Sequence, residues 1–354
     1  MSDYKVVVVL GNGFDLDLGL KTKYCDFVNS RFFTDNLPDK FNDSPGQLGD
    51  TYKSISNQMA DCFIRIISKK NPQLRYENVN LFSYLNEESQ LCSWVDIEKS
   101  LSIFATRTIN VSNGKGKTKK AMAKEIEEQT FKKLHEALCS YLNALDYSGI
   151  IQSSKAMRLL QIIKGYDNLE ILTFNYTDLK RLEQYVGRIN VPVDNIHGRI
   201  SDGNIILGFQ DDLEIDDSYC FMIKSFSPHY KSHNVREKLL GADEIIIFGH
   251  SLGSTDYHYF QDLFKSQSQP EKAKKNLIMR IFTYNENSRR DILLQLRNMN
   301  DKRTDMLYDL CDFEVYRTGE KLDDSKINKY FYDLERRLDF YIRPNVVAHG
   351  FHVQ

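Results

Sequence analysis

The chain has 354 residues, 41% of them hydrophobic and 27% charged, with a formal net charge of −2. That apolar mass fills one large core or two smaller ones, and the near-neutral balance excludes an overall electrostatic footprint for nucleic acid or an anionic membrane. No window approaches the ~18 apolar residues of a bilayer-spanning helix, the opening MSDYKVVVVLGNGFD lacks the segments of a secretory leader, and the six cysteines are scattered without a CxxC pair. The expectation is a cytoplasmic protein with reduced thiols, no membrane partner and no bound metal; His250 and His258, eight residues apart, do not have ligand spacing.

The first predicted element is a strand over Lys5–Leu10, a continuous apolar run of the kind buried on both faces of a parallel sheet. Gly11-Asn12-Gly13-Phe14-Asp15 follows it. A strand, a G-x-G turn and a helix in succession bring backbone N–H groups close to a phosphate, and glycine is needed where a Cβ would block that approach. Leu16 occupies the third glycine position of the dinucleotide fingerprint, and no Lys-Ser or Lys-Thr pair follows, which excludes a Walker A loop. A tight strand–helix turn with no ligand accounts for the same glycines.

Residues 11–168 separate this strand from the next, a span beyond any ordinary crossover. Residues 21–164 are expected to form a mainly helical insertion. Thr51–Lys69 carries an apolar stripe at Ile55, Met59, Phe63 and Ile66 or Ile67, and Ala121–Leu145 is a second long helix. Thr34–Asp50 and the basic, Gly-rich Asn110–Lys120 are predicted loops, the latter either solvated or in contact with phosphate or nucleic acid. Trp94, Asp96 and Glu98 open a helix, where acids complement the backbone dipole. The alternative has Asp96 or Glu98 reaching over a ribose, with Trp94 anchoring the insertion.

Beyond the insertion, strands and helices alternate. The helix Lys155–Gly165 precedes strands at Leu169–Asn175, Asp194–His197 and Glu244–Gly249; a helix at Tyr257–Phe264, a strand at Leu277–Tyr284, a helix at Arg289–Asn298 and a strand at Phe313–Arg317 follow. The alternation predicts an α/β fold with a doubly wound, mostly parallel, Rossmann-like sheet of about six strands. Residues 1–20 and 165–320 form the expected nucleotide-binding core, and 321–354 a C-terminal helix and tail.

Four motifs occur in a fixed order: GNGFDLDLGLKTKYCDF (Gly11–Phe27), TFNYTDL (Thr173–Leu179), IHG (Ile196–Gly198) and FGHSLGSTDYHYF (Phe248–Phe260). With SWVDIEKSL (Ser93–Leu101), they resemble the AbiH family of bacterial phage-defence proteins, which is similar to the SIR2-like NAD-binding superfamily. The resemblance implies an abortive-infection protein that binds a nucleotide and hydrolyses NAD as its substrate, answering a phage trigger or a partner protein. It maps the nicotinamide-ribose residues onto Asn175 and His197. It maps nucleotide contacts onto Gly11, Asn12, Gly13, Phe14, Asp15, Thr173 and Gly249, and onto Ser251 on the adenosine side. Asp256 caps the following helix or touches that ribose. The chain departs from the superfamily at Phe14 and Asp15, where small or hydroxyl residues are usual, and at Thr177, where an acid is usual and Asp178 stands one step later. It carries no CxxC zinc module after His197-Gly198, which argues against protein deacylation. A homo-oligomer is left open.

The chemistry asked of these residues is consistent with their types. Cleaving the nicotinamide–ribose bond passes through an oxocarbenium-like species, so a site must orient the ribose and supply water. A histidine takes a proton at cellular pH, and an asparagine amide donates to one oxygen while accepting from another. Two rival readings stand beside this one. Gly249-His250-Ser251-Leu252-Gly253 matches the G-x-S-x-G elbow of serine hydrolases, with Asp291 or Asp312 and then His349 completing a triad. The third reading is a nucleotide-sensing protein that interacts with a partner without turnover.

Overall fold

The computed structural model describes residues 4–37, 81–88, 95–112, 117–166, 168–211 and 213–342. The expected helix Thr51–Lys69, most of the loop Thr34–Asp50, Trp94, the side chain of Asp96, the centre of the basic run Asn110–Lys120, and His349 with its tail lie outside the described residues.

Six strands form one sheet: β1 (Val6–Leu10), β2 (Leu169–Thr173), β3 (Val193–Asn195), β4 (Glu244–Phe248), β5 (Ile278–Thr283) and β6 (Asp312–Arg317). Every pairing is parallel, in the order β3-β2-β1-β4-β5-β6. The α/β expectation holds, and the reason is visible in β1 and β4: all five residues of each are buried, so these apolar runs are covered on both faces. The chain winds outward from β1 to β3, then returns to the other side of β1 and winds outward from β4 to β6. The winding direction therefore reverses between β1 and β4, and the loops leaving those strands open at the same, C-terminal edge of the sheet.

The helices that cover the sheet are built from sequence in ordinary ways. Lys155–Ile163 starts at Ser154, whose hydroxyl accepts from the Met157 N–H at 3.1 Å, and buries Ala156, Met157, Leu159, Leu160, Ile162 and Ile163. Tyr257–Gln267 buries Phe260, Leu263 and Phe264; Glu286–Met299, capped by Asn285, buries Ile292, Leu296 and Met299. The buried apolar side chains of Tyr257–Gln267 and Glu286–Met299 share one core with Val7, Val9, Ile245, Ile247, Met279 and Ile281 of the sheet. At the opposite, N-terminal edge, the carboxylate of Glu244 is fully buried. It accepts from the hydroxyls of Tyr4 (2.8 Å) and Tyr330 (2.7 Å) and from the Arg337 guanidinium (2.7 and 3.0 Å).

The chain divides into two units, the first comprising Met1–Thr22, Leu142–Ile206 and His229–Gln354, the second Lys23–Tyr141 and Leu207–Pro228. The first contains the sheet. The second is helical, with Leu81–Glu88, Val95–Ser112 and Lys117–Asn143 as its longer described helices. Its core is aromatic: Phe33 lies 5.3 Å from Phe27 and 5.0 Å from Phe82 between ring centroids. Glu98 has a partner there, since the buried Lys224 ammonium sits 2.9 Å from its carboxylate. No helix among the described residues is long and apolar enough to cross a membrane.

Candidate functional site

The site is assembled from the turns that leave β1, β2, β3 and β4, all at one edge of the sheet. The β1 and β4 turns touch through their backbones. The Gly11 N–H donates to the Phe248 carbonyl at 3.0 Å, and the Gly13 N–H donates to the Gly249 carbonyl at 2.8 Å. A Cβ on Gly11 would stand 2.4 Å from His250 Cα, and one on Gly13 2.6 Å from Gly249 Cα. Gly249 has a φ of +66°, and a Cβ there would meet the Phe14 nitrogen at 2.3 Å. All three glycines are thus required by contact between two stretches of chain, a demand separate from any phosphate.

The residues expected to touch a nucleotide divide in this geometry. Asn175, two residues past β2, donates its side-chain amide to the Gly11 carbonyl at 3.0 Å and so ties the β2 turn to the glycine turn. Thr173 shapes that turn, its hydroxyl accepting from the Asn175 N–H at 3.2 Å. Asp15 accepts from the Thr177 hydroxyl at 2.8 Å and from the Asn175 side chain. Burial pushes its carboxyl up to about 7, with those hydrogen bonds opposing the rise. Asn12 donates to the Thr22 carbonyl at 3.2 Å. Phe14 is turned into the core, edge-on to Phe248. Ser251 is exposed and apart from the cluster, its hydroxyl accepting from the Gly253 N–H at 3.3 Å.

His197 leaves β3 and is buried, at 6% exposure, as are Asn175 (7%), Asp256 (7%) and His250 (5%). Its Nε2 lies 3.3 Å from Asp256 Oδ1, and His250 Nε2 lies 3.4 Å from Asp256 Oδ2. The Phe174 ring is edge-on to both imidazoles. The sequence reading missed His250 as a site residue, although the signal that singled out His197 applies equally to it: a histidine beside glycine, just past the C-terminal end of a parallel strand. The lipase-like pentapeptide drew attention to its serine instead.

Two buried hydroxyls flank the glycine turn. Thr22 Oγ1 and Tyr147 Oη have no hydrogen-bond partner among the described residues. Thr22 is linked to the turn through Asn12, and burial, with the charge of Asp15 after it, holds the Tyr147 phenol well above the usual range. A buried hydroxyl without a partner costs about 1–3 kcal/mol, which a polar ligand would recover.

The serine-hydrolase arrangement is poorly served. Asp312 opens β6 at the N-terminal edge of the sheet, the edge opposite Ser251, and holds the Arg280 guanidinium at 2.6 Å. Asp291 is exposed on the helix Glu286–Met299. The residues of this loop with positive φ are Gly249 and Leu252, not Ser251, whereas a nucleophile elbow places the strain on its serine.

Compared with known proteins, residues 7–276 match the model of a family described as "Bacteriophage abortive infection AbiH", a span that takes in most of the chain and every residue of this site. No curated protein and no solved structure matches the chain.

Proposed function

The chain belongs to the AbiH family of bacteriophage abortive infection proteins, and from that premise we propose that it is the NAD-cleaving effector of such a response, working in the cytoplasm on a signal from phage or from a partner protein. The observation that supports this reading most is the meeting of Gly11, Asn175, His197 and Gly249 at one edge of a parallel sheet whose winding reverses between β1 and β4. Open α/β sheets bind their ligands there, in the crevice outside the carboxyl ends of the strands. The order of the motifs, which resembles the SIR2-like order, favours NAD as the nucleotide. The unpartnered hydroxyls of Thr22 and Tyr147 and the carboxyl of Asp15 suit a ligand rich in hydroxyl groups.

In this reading the nicotinamide–ribose C–N bond breaks with its electron pair leaving on nicotinamide. Water adds to the ribose carbon, and the products are nicotinamide, ADP-ribose and a proton. His197 takes the proton from water. Asn175, held against the Gly11 carbonyl, orients the ribose. Closure of the site against bulk water limits other nucleophiles.

Incubating the purified protein with NAD and following nicotinamide release tests the proposal. His197→Ala should lower turnover by roughly 10²–10⁴-fold, and Asn175→Ala should do comparable damage through lost orientation. Tight NAD binding with no nicotinamide released would favour the nucleotide-sensing reading instead.

A further inference from the structure

Asp256 stands at the N-terminus of the helix Tyr257–Gln267, where an aspartate ordinarily accepts from a first-turn N–H. Its side chain makes no such bond among the described residues. The carboxylate faces two imidazoles from two different turns, with His197 Nε2 3.3 Å from Oδ1 and His250 Nε2 3.4 Å from Oδ2. Phe174 closes one side, its ring 5.3 Å from that of His197 and 4.4 Å from that of His250.

The loop carrying His250 is built to hold that ring. Leu252 is fully buried at a φ of +52°, a conformation that residues with a Cβ rarely adopt. In that conformation its N–H donates to His250 Nδ1 at 3.0 Å. With Nδ1 accepting, neutral His250 carries its proton on Nε2, the nitrogen turned toward Asp256.

We propose that His197, Asp256 and His250 form a single proton-holding unit, in which Asp256 and His250 are positioning residues for His197. The catalytic part of this inference rests on His197 being the base of the reaction proposed above. A buried carboxylate is costly unless compensated. Here the Nε2–H of His250 faces one of its oxygens while the other faces His197. When His197 takes a proton from water, its imidazolium forms beside an anion already in place, so the charge created in the step is neutralised without solvent. The other titratable groups on the surrounding turns and helix include Asp15, bound to Thr177; Tyr176, its ring 6.3 Å from that of His197 and its hydroxyl donating to the Ile206 carbonyl; Asp178, 3.8 Å from Arg199; and His258 and Tyr259, whose rings lie 3.7 Å apart.

The test is an NMR titration of the full chain with ring-labelled histidine, from about pH 5 to about pH 9. The eight histidines are assigned by single substitution, and wild type is compared with Asp256→Asn and His250→Gln. Removing the anion should lower the midpoints of both His197 and His250 by about 1 pH unit or more. His250→Gln should move the His197 midpoint through Asp256 alone. The acid limb of kcat/KM for NAD should shift to lower pH in Asp256→Asn. Unchanged midpoints in both variants, with NAD cleavage intact, would overturn the unit and leave the hydrolase reading standing. Shifted midpoints with no NAD cleavage would establish the unit and remove that reading. If Asp256→Asn fails to fold, as judged by circular dichroism, the His197 midpoint in His250→Gln decides.

Discussion

Asp15 is 2% exposed, and its carboxyl is held up to about 7 against an ordinary value of 3.8. The folded protein therefore binds a proton here that the unfolded chain releases between about pH 4 and about pH 7. Stability from this residue is complete below about pH 4 and is lost as pH rises through about 7. The gap is worth on the order of 4 kcal/mol. Asp15→Asn keeps an acceptor for the Thr177 hydroxyl and removes the titration. The variant should gain on wild type steadily between about pH 4.5 and about pH 7.5, measured as the difference in unfolding midpoint at each pH. A difference that stays the same at both ends would show that Asp15 does not titrate in this window. On the proposed reading the same residue also bears on ligand binding. Below about 7 its carboxyl can donate to a ligand hydroxyl, and above it can only accept.

The strands were legible because they are buried on both faces and their apolar runs are unbroken. Val6–Leu10 and Glu244–Phe248 show this most plainly. Their ends were less so. The sequence pattern carries the second and third strands to Asn175 and His197, whereas pairing stops at Thr173 and Asn195, because the turns bend there to bring those side chains into the site. That Asn175 and His197 would stand at one edge followed from strand alternation. The Asp256 bridge between two imidazoles did not, since it depends on how two turns approach in space. The pairing of Lys224 with Glu98 spans 126 positions and leaves no local mark in the sequence either. The GHSLG turn is the element where motif and geometry diverge most. Its serine is exposed, has no strained φ and has Asp312 on the far edge of the sheet. Ser251→Ala should retain most turnover, within a few-fold of wild type, where loss of a nucleophile costs several orders of magnitude. Covalent labelling of Ser251 by a fluorophosphonate would restore the serine-hydrolase reading.

Membership of an abortive infection family and the proposed chemistry of the site together require restraint. An abortive infection protein acts when phage is present, and an enzyme that consumed NAD without restraint would starve its own host. On the proposed NAD-cleaving reading, the burial of Asn175 and His197, only 7% and 6% exposed, is what a phage signal or a partner would relieve. The backbones of the β1 and β4 turns are in contact at Gly11, Gly13 and Gly249. Cells carrying the wild-type protein should therefore hold normal NAD until infection and lose it afterwards, with nicotinamide and ADP-ribose appearing together. Cells carrying His197→Ala or Asn175→Ala should keep their NAD and lose protection, while accumulating the protein to the wild-type level. Extracts taken at intervals after infection, assayed for all three metabolites, separate the readings. If NAD stays constant while wild-type cells remain protected, the hydrolase assignment fails, and the same crevice would be that of a protein that binds a nucleotide and passes the signal to a partner.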